Sequence, residues 1–167
     1  MRKAIVANPS KCYACLSCVI ECSYHRVSAD ASAPLRAKTA GQAGCDVLAV
    51  DSVPVPLFCH HCEDAPCMTV CPSGAIRRES DDGPVDLDVK LCIGCKACIA
   101  ACPFGMMRLR PDGKAVIKCD LCADRLARGE EPACVASCPS HAIEFKELDD
   151  VALEARRRAA AALRKTQ

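Results

Sequence analysis

Sixteen of the 17 cysteines in this chain of 167 residues fall into four groups of four. Cysteine thiolates bind metal ions and act as nucleophiles, so clustered cysteines in a reducing compartment indicate metal binding or catalysis. In chain order, the groups are Cys12, Cys15, Cys18 and Cys22; Cys59, Cys62, Cys67 and Cys71; Cys92, Cys95, Cys98 and Cys102; and Cys119, Cys122, Cys134 and Cys138. Cys45 stands outside the four groups.

The spacing within the groups points to one kind of metal centre. Groups one and three read C-x2-C-x2-C-x3-C, while group two has four residues and group four has eleven between the second and third cysteines. Three thiolates on such a loop can wrap three corners of a [4Fe–4S] cube, and the fourth cysteine points towards another cluster. A proline follows the last cysteine of groups two, three and four, which suits a turn because proline fixes φ and lacks an N–H.

Zinc is the alternative metal, because C-x2-C pairs also build structural zinc sites with four thiolate ligands. Zinc ribbons use two such pairs separated by a longer spacer, whereas the triplets in this chain end in C-x3-C and proline. The pattern therefore favours iron–sulfur clusters over zinc, and it favours either metal over disulfides.

Short strands and turns must hold these cysteine loops in place. Residues 76–78 and 85–88 flank a turn that contains Asp-Gly-Pro, and residues 107–110 and 114–118 flank Pro-Asp-Gly, so each pair predicts a β-hairpin. An alternating pattern over residues 46–55 predicts one further strand. The order of strand, cluster loop, Cys-Pro turn and strand resembles a two-cluster bacterial ferredoxin used twice.

Two segments lie outside this repeat. Residues 28–34 are rich in Ser, Ala and Asp, and predict a loop. Residues 147–165 predict a helix with an apolar stripe and a basic face of three arginines. This helix is either a solvated terminal helix or an arm for docking or self-association.

Composition narrows the function classes. Trp is absent, and three Phe and two Tyr are too few for an ordinary core, so something other than aromatic rings must fill the interior. The 22 basic and 21 acidic residues create no field for nucleic acid. No apolar run approaches the roughly 20 residues of a membrane span, and no apolar stretch near the N-terminus suits a secretory signal. These features predict a cytoplasmic protein, although a folded subunit can also be exported on a partner's signal.

Several side chains near the cysteines could modify a bound cluster. Lysines beside ligands could raise the potential of a cluster, or they could be solvated turn residues. The candidates are Lys11, Lys90, Lys96 and Lys118. His60 and His61 are expected to be neighbouring donors or surface residues rather than ligands, because group two already holds four cysteines. We expect His141 to be a turn residue near a cluster, and Cys45 to be a small buried or incidental thiol rather than a catalytic one.

The four groups and their flanks resemble the four-cluster iron–sulfur subunits of molybdenum, tungsten and nickel oxidoreductases. These include the small subunits of formate dehydrogenase, dimethyl sulfoxide reductase, carbon monoxide dehydrogenase and tungsten aldehyde oxidoreductase. The resemblance covers residues 4–145, and its more specific marks are the long spacers of groups two and four. It implies an α+β fold of two bacterial-ferredoxin-like modules, one nested in the other. Short β-hairpins and helices would surround four [4Fe–4S] clusters, with a C-terminal helix added.

The resemblance also implies which cysteines share a cluster. In that family the first and last groups share one pair of clusters, and the two middle groups share the other pair. Carried over to this chain, the ligand sets are Cys12, Cys15 and Cys18 with Cys138; Cys119, Cys122 and Cys134 with Cys22; Cys59, Cys62 and Cys67 with Cys102; and Cys92, Cys95 and Cys98 with Cys71. The outer module then comprises residues 1–54 and 113–146, the inner module residues 55–112, and the helical tail residues 147–167.

The function implied is electron transfer. The sequence contains no G-x-G-x-x-G motif, P-loop, nucleophile with a partnered base or ligand set with an open metal position. The resemblance implies a non-catalytic subunit that carries electrons between a catalytic oxidoreductase subunit and a second redox partner, such as a flavin subunit. Among catalytic partners we favour a tungsten aldehyde oxidoreductase. The alternatives are carbon monoxide dehydrogenase, formate dehydrogenase, or a filament-forming polyferredoxin that self-associates through residues 147–167.

Overall fold

The computed structural model describes residues 3–27 and 43–165, in which short strands and helices alternate. The strands are β1 (Lys3–Ala7), β2 (Cys45–Val50), β3 (Val53–Phe58), β4 (Ile76–Arg78), β5 (Val85–Leu87), β6 (Arg108–Leu109), β7 (Val116–Ile117) and β8 (Ile143–Glu147). The helices are a 3-10 turn (Pro9–Lys11), α1 (Ser17–Val27), α2 (Pro66–Thr69), α3 (Ala97–Ala101), α4 (Ala123–Ala127), α5 (Ala133–Ala136) and α6 (Leu148–Lys165). This mixture of small helices and antiparallel strand pairs confirms the α+β class. The loop predicted at residues 28–34 lies outside the described residues.

Strands β1 and β8 pair antiparallel and bring the first described residues next to the segment that precedes α6. The register runs from Lys3 opposite Glu147 to Ala7 opposite Ile143. Side chains from both strands pack against the buried residues around Cys18. Because group one follows β1 and group four precedes β8, this pairing sets the first and last cysteine groups side by side.

The two β-hairpins predicted from the turn sequences are confirmed. One lies between cysteine groups two and three, and the other lies between groups three and four. Strand β4 pairs with β5, and β6 pairs with β7. The β6–β7 ladder spans two residues in each strand, fewer than the predicted strands at 107–110 and 114–118. Gly113 closes this second turn with a φ of +68°, and its N–H donates to the Arg110 carbonyl at 2.9 Å. Glycine adopts such a φ without the strain that a Cβ would add.

The prediction of a single strand over residues 46–55 is wrong, because this segment folds back on itself. Strands β2 and β3 pair antiparallel along their whole length. Asp51 and Ser52 connect them with φ values of +48° and +65°, the left-handed values that a two-residue type I′ turn requires. Asp-Ser lacks the glycine that usually marks such a turn, so the alternating pattern continued through it without a visible break.

Two clusters of buried residues form the core, and cysteines make up a large part of both. The first contains Cys18, Cys22, Ala43, Cys45, Phe58, Cys134, Val135 and Ile143. The second contains Ala65, Ile76, Val85, Cys98, Met107 and Val116, with further partly buried cysteines packed against it. Phe58 is the one aromatic residue buried within the described ranges, so the prediction that aromatic rings do not fill the interior is confirmed.

Helix α6 begins directly after β8 and lies mostly on the surface, which confirms the predicted C-terminal helix. Lys146 pairs with Glu154 at 2.8 Å and so ties the first turns of α6 to β8. Asp149 and Asp150 stand in its first turn, where the helix dipole favours negative charge. Within the described part of the chain, none of the helices has the length and apolar character needed to cross a membrane.

Candidate iron–sulfur centres

The first three cysteines of group one share a cavity with the last cysteine of group four. Cys12, Cys15, Cys18 and Cys138 line this cavity. The 3-10 turn and α1 hold the loop of group one, since Cys18 lies in the first turn of α1. Cys138 follows α5 and reaches the same cavity because the next strand, β8, pairs with β1.

A second cavity joins group two to group three. Cys59, Cys62, Cys67 and Cys102 line this second cavity. Cys59 follows directly after β3, Cys67 lies in α2, and Cys102 follows α3. Methionine and valine side chains complete an apolar wall, so a group bound here would be largely shielded from water.

A third cavity joins the same two groups, but here group three supplies three cysteines and group two supplies one. Cys92, Cys95 and Cys98 line it together with Cys71, the last cysteine of group two. Cys98 lies in α3, and the loop before it turns through Gly94, whose φ is +66°. The two middle groups thus exchange their last cysteines between two neighbouring cavities.

The remaining four group cysteines also lie together. Burial raises the pKa of the Cys134 thiol, and the neighbouring thiols of Cys22, Cys119 and Cys122 raise this pKa further. The Gly44 N–H donates to Cys22 Sγ at 3.2 Å, and a Cβ on Gly44 would lie 3.0 Å from the Cα of Cys119. Cys22 on α1 is therefore brought to the last group, although it belongs to the first group in the sequence.

One backbone feature recurs in all four cysteine loops. The residue two positions after the first cysteine has a positive φ in each loop: Ala14 (+59°), His61 (+45°), Gly94 (+66°) and Leu121 (+57°). Left-handed residues can turn backbone N–H groups towards one concave side, and such nests bind anions, including those of iron–sulfur sites. Three of these positions carry a side chain, which costs about 1–2 kcal/mol each. This strain favours a functional cause for the loop conformation.

The turns after the Cys-Pro pairs repeat as well. The residue three positions after the last cysteine is left-handed in groups two, three and four: Gly74 (+63°), Gly105 (+63°) and His141 (+49°). The prediction that His141 is a turn residue is confirmed, because its N–H donates to the Cys138 carbonyl at 3.2 Å. The turn also brings the Ala142 N–H to within 3.3 Å of Cys138 Sγ, where it can donate to a thiolate.

Lys118 differs from the other three lysines singled out in the sequence, because it is buried with 2% of its surface exposed. Its Nζ donates to the Val85 carbonyl at 2.5 Å and to the Cys119 carbonyl at 3.1 Å. The same atom lies 3.5 Å from Cys59 Sγ. The other three lysines are exposed. The only sequence signal for Lys118 is its position next to Cys119, and that signal does not reveal burial.

His61 lies beside the second cavity as a neutral ring. Burial, and then the charge of Lys118, lower the pKa of His61 to about 3. Its Nδ1 lies 3.5 Å from Lys118 Nζ and accepts, since an ammonium group only donates; the ring proton is therefore on Nε2. Nε2 is buried and has no hydrogen-bond partner among the described residues. A buried N–H without a partner fits a site whose occupant accepts hydrogen bonds, as cluster sulfurs do.

Cys45, His60 and Phe104 lie beside the group cysteines, and none of the three belongs to the four predicted ligand sets. Cys45 is 2% exposed, and its Sγ donates to the Cys18 carbonyl at 3.4 Å. Hydrogen bonding towards Cys18 and Cys22, and then burial, raise the pKa of the Cys45 thiol. The prediction of a buried thiol is confirmed. His60 packs on Phe104 with ring centroids 4.2 Å apart, at the edge of the second cavity.

The donor set suits iron–sulfur clusters. All 17 cysteines lie in the described ranges, and all are free thiols. In these ranges no three His, Cys, Asp or Glu side chains converge closely enough to hold a single metal ion. Soft thiolate ligands select iron–sulfur clusters among other centres, and a bound [4Fe–4S] cluster exchanges one electron with its neighbours. The protein's part is to supply the sulfur ligands, the N–H donors and the apolar walls.

Comparisons with known proteins agree with this chemistry. The family described as "4Fe-4S dicluster domain" matches residues 50–148. The chain is 38% identical over 152 residues to the thiosulfate reductase electron transfer subunit PhsB of Salmonella typhi, which covers 86% of this chain and 74% of that protein. It is 39% identical over 158 residues to an iron-sulfur protein of Rhodospirillum rubrum, covering 87% and 82%. It is 35% identical over 178 residues to the electron transport protein HydN of Escherichia coli strain K12, covering 96% and 98%.

These matches extend over most of the chain and include all the cysteines of the last group. They confirm the resemblance and the [4Fe–4S] cofactor that the cysteine spacing predicts. The chain belongs to the 4Fe-4S dicluster domain family of iron–sulfur electron-transfer proteins.

Proposed function

We propose that the chain is a non-catalytic subunit that carries electrons through four [4Fe–4S] clusters, between a catalytic oxidoreductase subunit and a second redox partner. The observation that carries this proposal is the lining of the three cavities. Each is lined by three cysteines of one group and the last cysteine of another. Four clusters in one small chain suit a path for electrons across the molecule, because two clusters already suffice for storage.

The sixteen proposed ligands are the group cysteines, in the four sets named from the sequence. Three sets are supported by the shared cavities. The set of Cys22 with Cys119, Cys122 and Cys134 is supported by the effect of the other three thiols on the pKa of Cys134 and by the contacts of Gly44 with Cys22 and Cys119. We call the cluster assigned to Cys59, Cys62, Cys67 and Cys102 the Cys59 cluster.

The nested arrangement of two modules follows from the same assignment. The outer module would comprise residues 1–54 and 113–146, the inner module residues 55–112, and the tail residues 147–167. The pairing of β1 with β8 supports an outer module built from both ends of the chain. The hairpins β2–β3 and β6–β7 cross the proposed boundaries, so shared strands would tie the two modules together.

The relatives indicate a class of partner rather than one enzyme. PhsB is named as the electron transfer subunit of a thiosulfate reductase, and HydN is named as an electron transport protein. A catalytic oxidoreductase subunit is therefore the proposed partner. Tungsten aldehyde oxidoreductase, favoured from the sequence, stays a prediction, and so do carbon monoxide dehydrogenase, formate dehydrogenase, the flavin subunit and the cytoplasmic location.

The cofactor content of anaerobically purified protein tests the first part of the proposal. We expect brown protein with about sixteen irons and about sixteen acid-labile sulfides per chain. Reduction with dithionite should produce EPR signals that integrate to several spins per chain, because each cluster takes up one electron. Folded, colourless protein that contains zinc would contradict the proposal.

Isolation from the native host tests the second part. A tagged chain, purified without oxygen, should bring down an oxidoreductase at fixed stoichiometry, and metal analysis should identify molybdenum, tungsten or nickel. Substrate of the co-purified enzyme should bleach the visible absorption of the iron–sulfur clusters. A chain that is isolated alone, and whose clusters no co-purified enzyme reduces, would instead favour an independent polyferredoxin.

A further inference from the structure

We propose that Lys118 is a built-in counter-cation that raises the reduction potential of the Cys59 cluster; this inference rests on the proposed function. No other lysine of the described ranges is buried, and the proposed electron transfer does not by itself require one.

The ammonium group of Lys118 is withdrawn from water. Its neighbours are the carbonyl oxygens of Val85 and Cys119, the sulfur of Cys59 at 3.5 Å and the Nδ1 of His61 at 3.5 Å. An ammonium group has three N–H donors and no acceptor, so each neighbour accepts from it. The lysine therefore binds the loop of group two directly, through the first ligand of that group.

Among the described residues, no carboxylate contacts this ammonium group. A buried charge without a partner of opposite sign is costly, because the protein interior solvates a charge less well than water does. A bound cluster supplies the missing charge, since an oxidised [4Fe–4S] core of about +2 with four thiolates carries about −2 in total.

The position of Lys118 is fixed from a third element. Arg26 on α1 donates to the Lys118 carbonyl, and it also pairs with Asp120 at 3.3 Å. Lys118 thereby stands between Cys59, a ligand assigned to the inner module, and Cys119, a ligand assigned to the outer module. The Lys118 Nζ contacts both, lying 3.5 Å from Cys59 Sγ and 3.1 Å from the Cys119 carbonyl oxygen. The lysine lies where the two modules approach each other.

The direction of the effect follows from the charges. Reduction takes a cluster from about −2 to about −3, so a nearby fixed positive charge stabilises the reduced state more than the oxidised state. Burial strengthens this difference, because the protein interior contains no dissolved ions and screens the charge of the lysine less than solvent does. The Cys59 cluster is thus biased towards accepting an electron at the junction of the modules.

Redox titration of the holoprotein, followed by EPR, tests this inference with three variants. Lys118→Gln and Lys118→Met remove the charge, whereas Lys118→Arg keeps it. We expect the two neutral variants to lower the potential of one cluster enough to change its oxidised-to-reduced ratio at least tenfold, or about 59 mV for one electron. The Arg variant should stay close to the wild type. The shifted signal should be the one that Cys67→Ser alters.

Lys90→Met is the matched control, because it removes the same charge from an exposed lysine two residues before the ligand Cys92. Solvent screens that charge, so we expect a change in ratio of less than about twofold. If the neutral variants lose the Cys59 cluster, iron content becomes the readout. Retention of about sixteen irons in Lys118→Arg, with about twelve in the neutral variants, supports a role for the charge.

Two results would overturn the inference. One is equal behaviour of Lys118→Arg and Lys118→Gln, in potential or in iron content, which would show that the side chain acts through packing alone. The other is a shift of similar size in all the clusters, or a shift in Lys90→Met as large as in Lys118→Met. A wild-type protein without four reducible clusters would instead refute the proposed function itself.

Discussion

The carbonyl oxygen of Lys114 lies 2.6 Å from the place that a Cβ on Gly94 would occupy. Gly94 belongs to the loop of group three, and Lys114 lies in the turn between β6 and β7. The hairpin that follows group three therefore packs directly on the cysteine loop of that group. This contact leaves no room for any side chain at position 94.

Gly94→Ala should lose iron and stability. A Cβ at positive φ costs about 1–2 kcal/mol, and the clash with backbone adds to this cost because a carbonyl cannot swing aside like a flexible side chain. We expect a loss of more than about 2 kcal/mol and fewer than sixteen irons per chain, measured by thermal unfolding and iron analysis.

Gly105→Ala is the control for that variant. Gly105 has nearly the same φ, +63°, but no heavy atom lies within 4 Å of its added Cβ. This variant should therefore lose only about 1 kcal/mol of stability, from the strained backbone, and keep its iron. Equal damage from both variants would show that the contact between Gly94 and Lys114 has no importance of its own.

Pairs of cysteine variants should reveal which ligands share a cluster. Cys15→Ala combined with Cys138→Ala should lose about four irons, because both side chains line one cavity and serve one cluster. Cys15→Ala combined with Cys22→Ala should lose about eight irons, because Cys22 serves the cluster of the last group. Iron and sulfide analysis of the anaerobic proteins makes the measurement.

The reverse order of these losses, or equal losses in both pairs, would contradict the proposed sets. Cys45→Ala is the matched control, since Cys45 is buried beside Cys18 but belongs to no set. It should keep about sixteen irons and cost about 1 kcal/mol for the small space it leaves. Loss of a cluster from this variant would mean that Cys45 is a ligand.

Removal of iron should unfold the protein. Cysteines belong to, or pack against, both groups of buried residues that form the core. Phe58 is the one buried aromatic side chain among the described residues. Without clusters, little apolar surface remains to offset the entropy of the chain, and a domain has only about 5–15 kcal/mol of stability to lose. We expect chelation to abolish the cooperative thermal transition in circular dichroism.

A metal-free protein with an unchanged helical signal and an unchanged transition would contradict this expectation. Reconstitution with iron and sulfide under anaerobic conditions is the control, because it should restore both the brown colour and the cooperative transition.

Deletion of residues 148–167 should leave the clusters in place, because no cysteine lies in that segment. The deletion removes the ion pair between Lys146 and Glu154, which is exposed and contributes little. The shortened chain should keep about sixteen irons, and iron analysis would detect the loss of even one cluster.

The same shortened chain tests self-association through the tail. If α6 joins copies of the chain, the mass in solution should rise with concentration for the full chain and stay constant for the shortened chain. Sedimentation at several concentrations makes the comparison. Equal masses for the two chains at every concentration would remove the self-association hypothesis.

The sequence by itself determined the ligand chemistry, the family and the local hairpins. Cysteine spacing acts over a few residues, so the loops, the Cys-Pro turns and the turn at Gly113 could be predicted without knowledge of distant contacts. The C-terminal helix could be predicted for the same reason, because its periodicity lies within one segment.

Only the tertiary structure decided features that depend on residues far apart in the chain. The family resemblance predicted that Cys12 and Cys138 share a cluster, but no local pattern encodes the pairing of β1 with β8 that brings them to one cavity. The turn at Asp51 and Ser52 has left-handed φ values at both positions, and the Asp-Ser pair lacks the glycine by which the sequence would have announced it. Lys118 looked like any turn lysine, and it became a buried cation because α1, β5 and the loop of group two enclose it. Burial is a property of packing, which spacing along the chain cannot express.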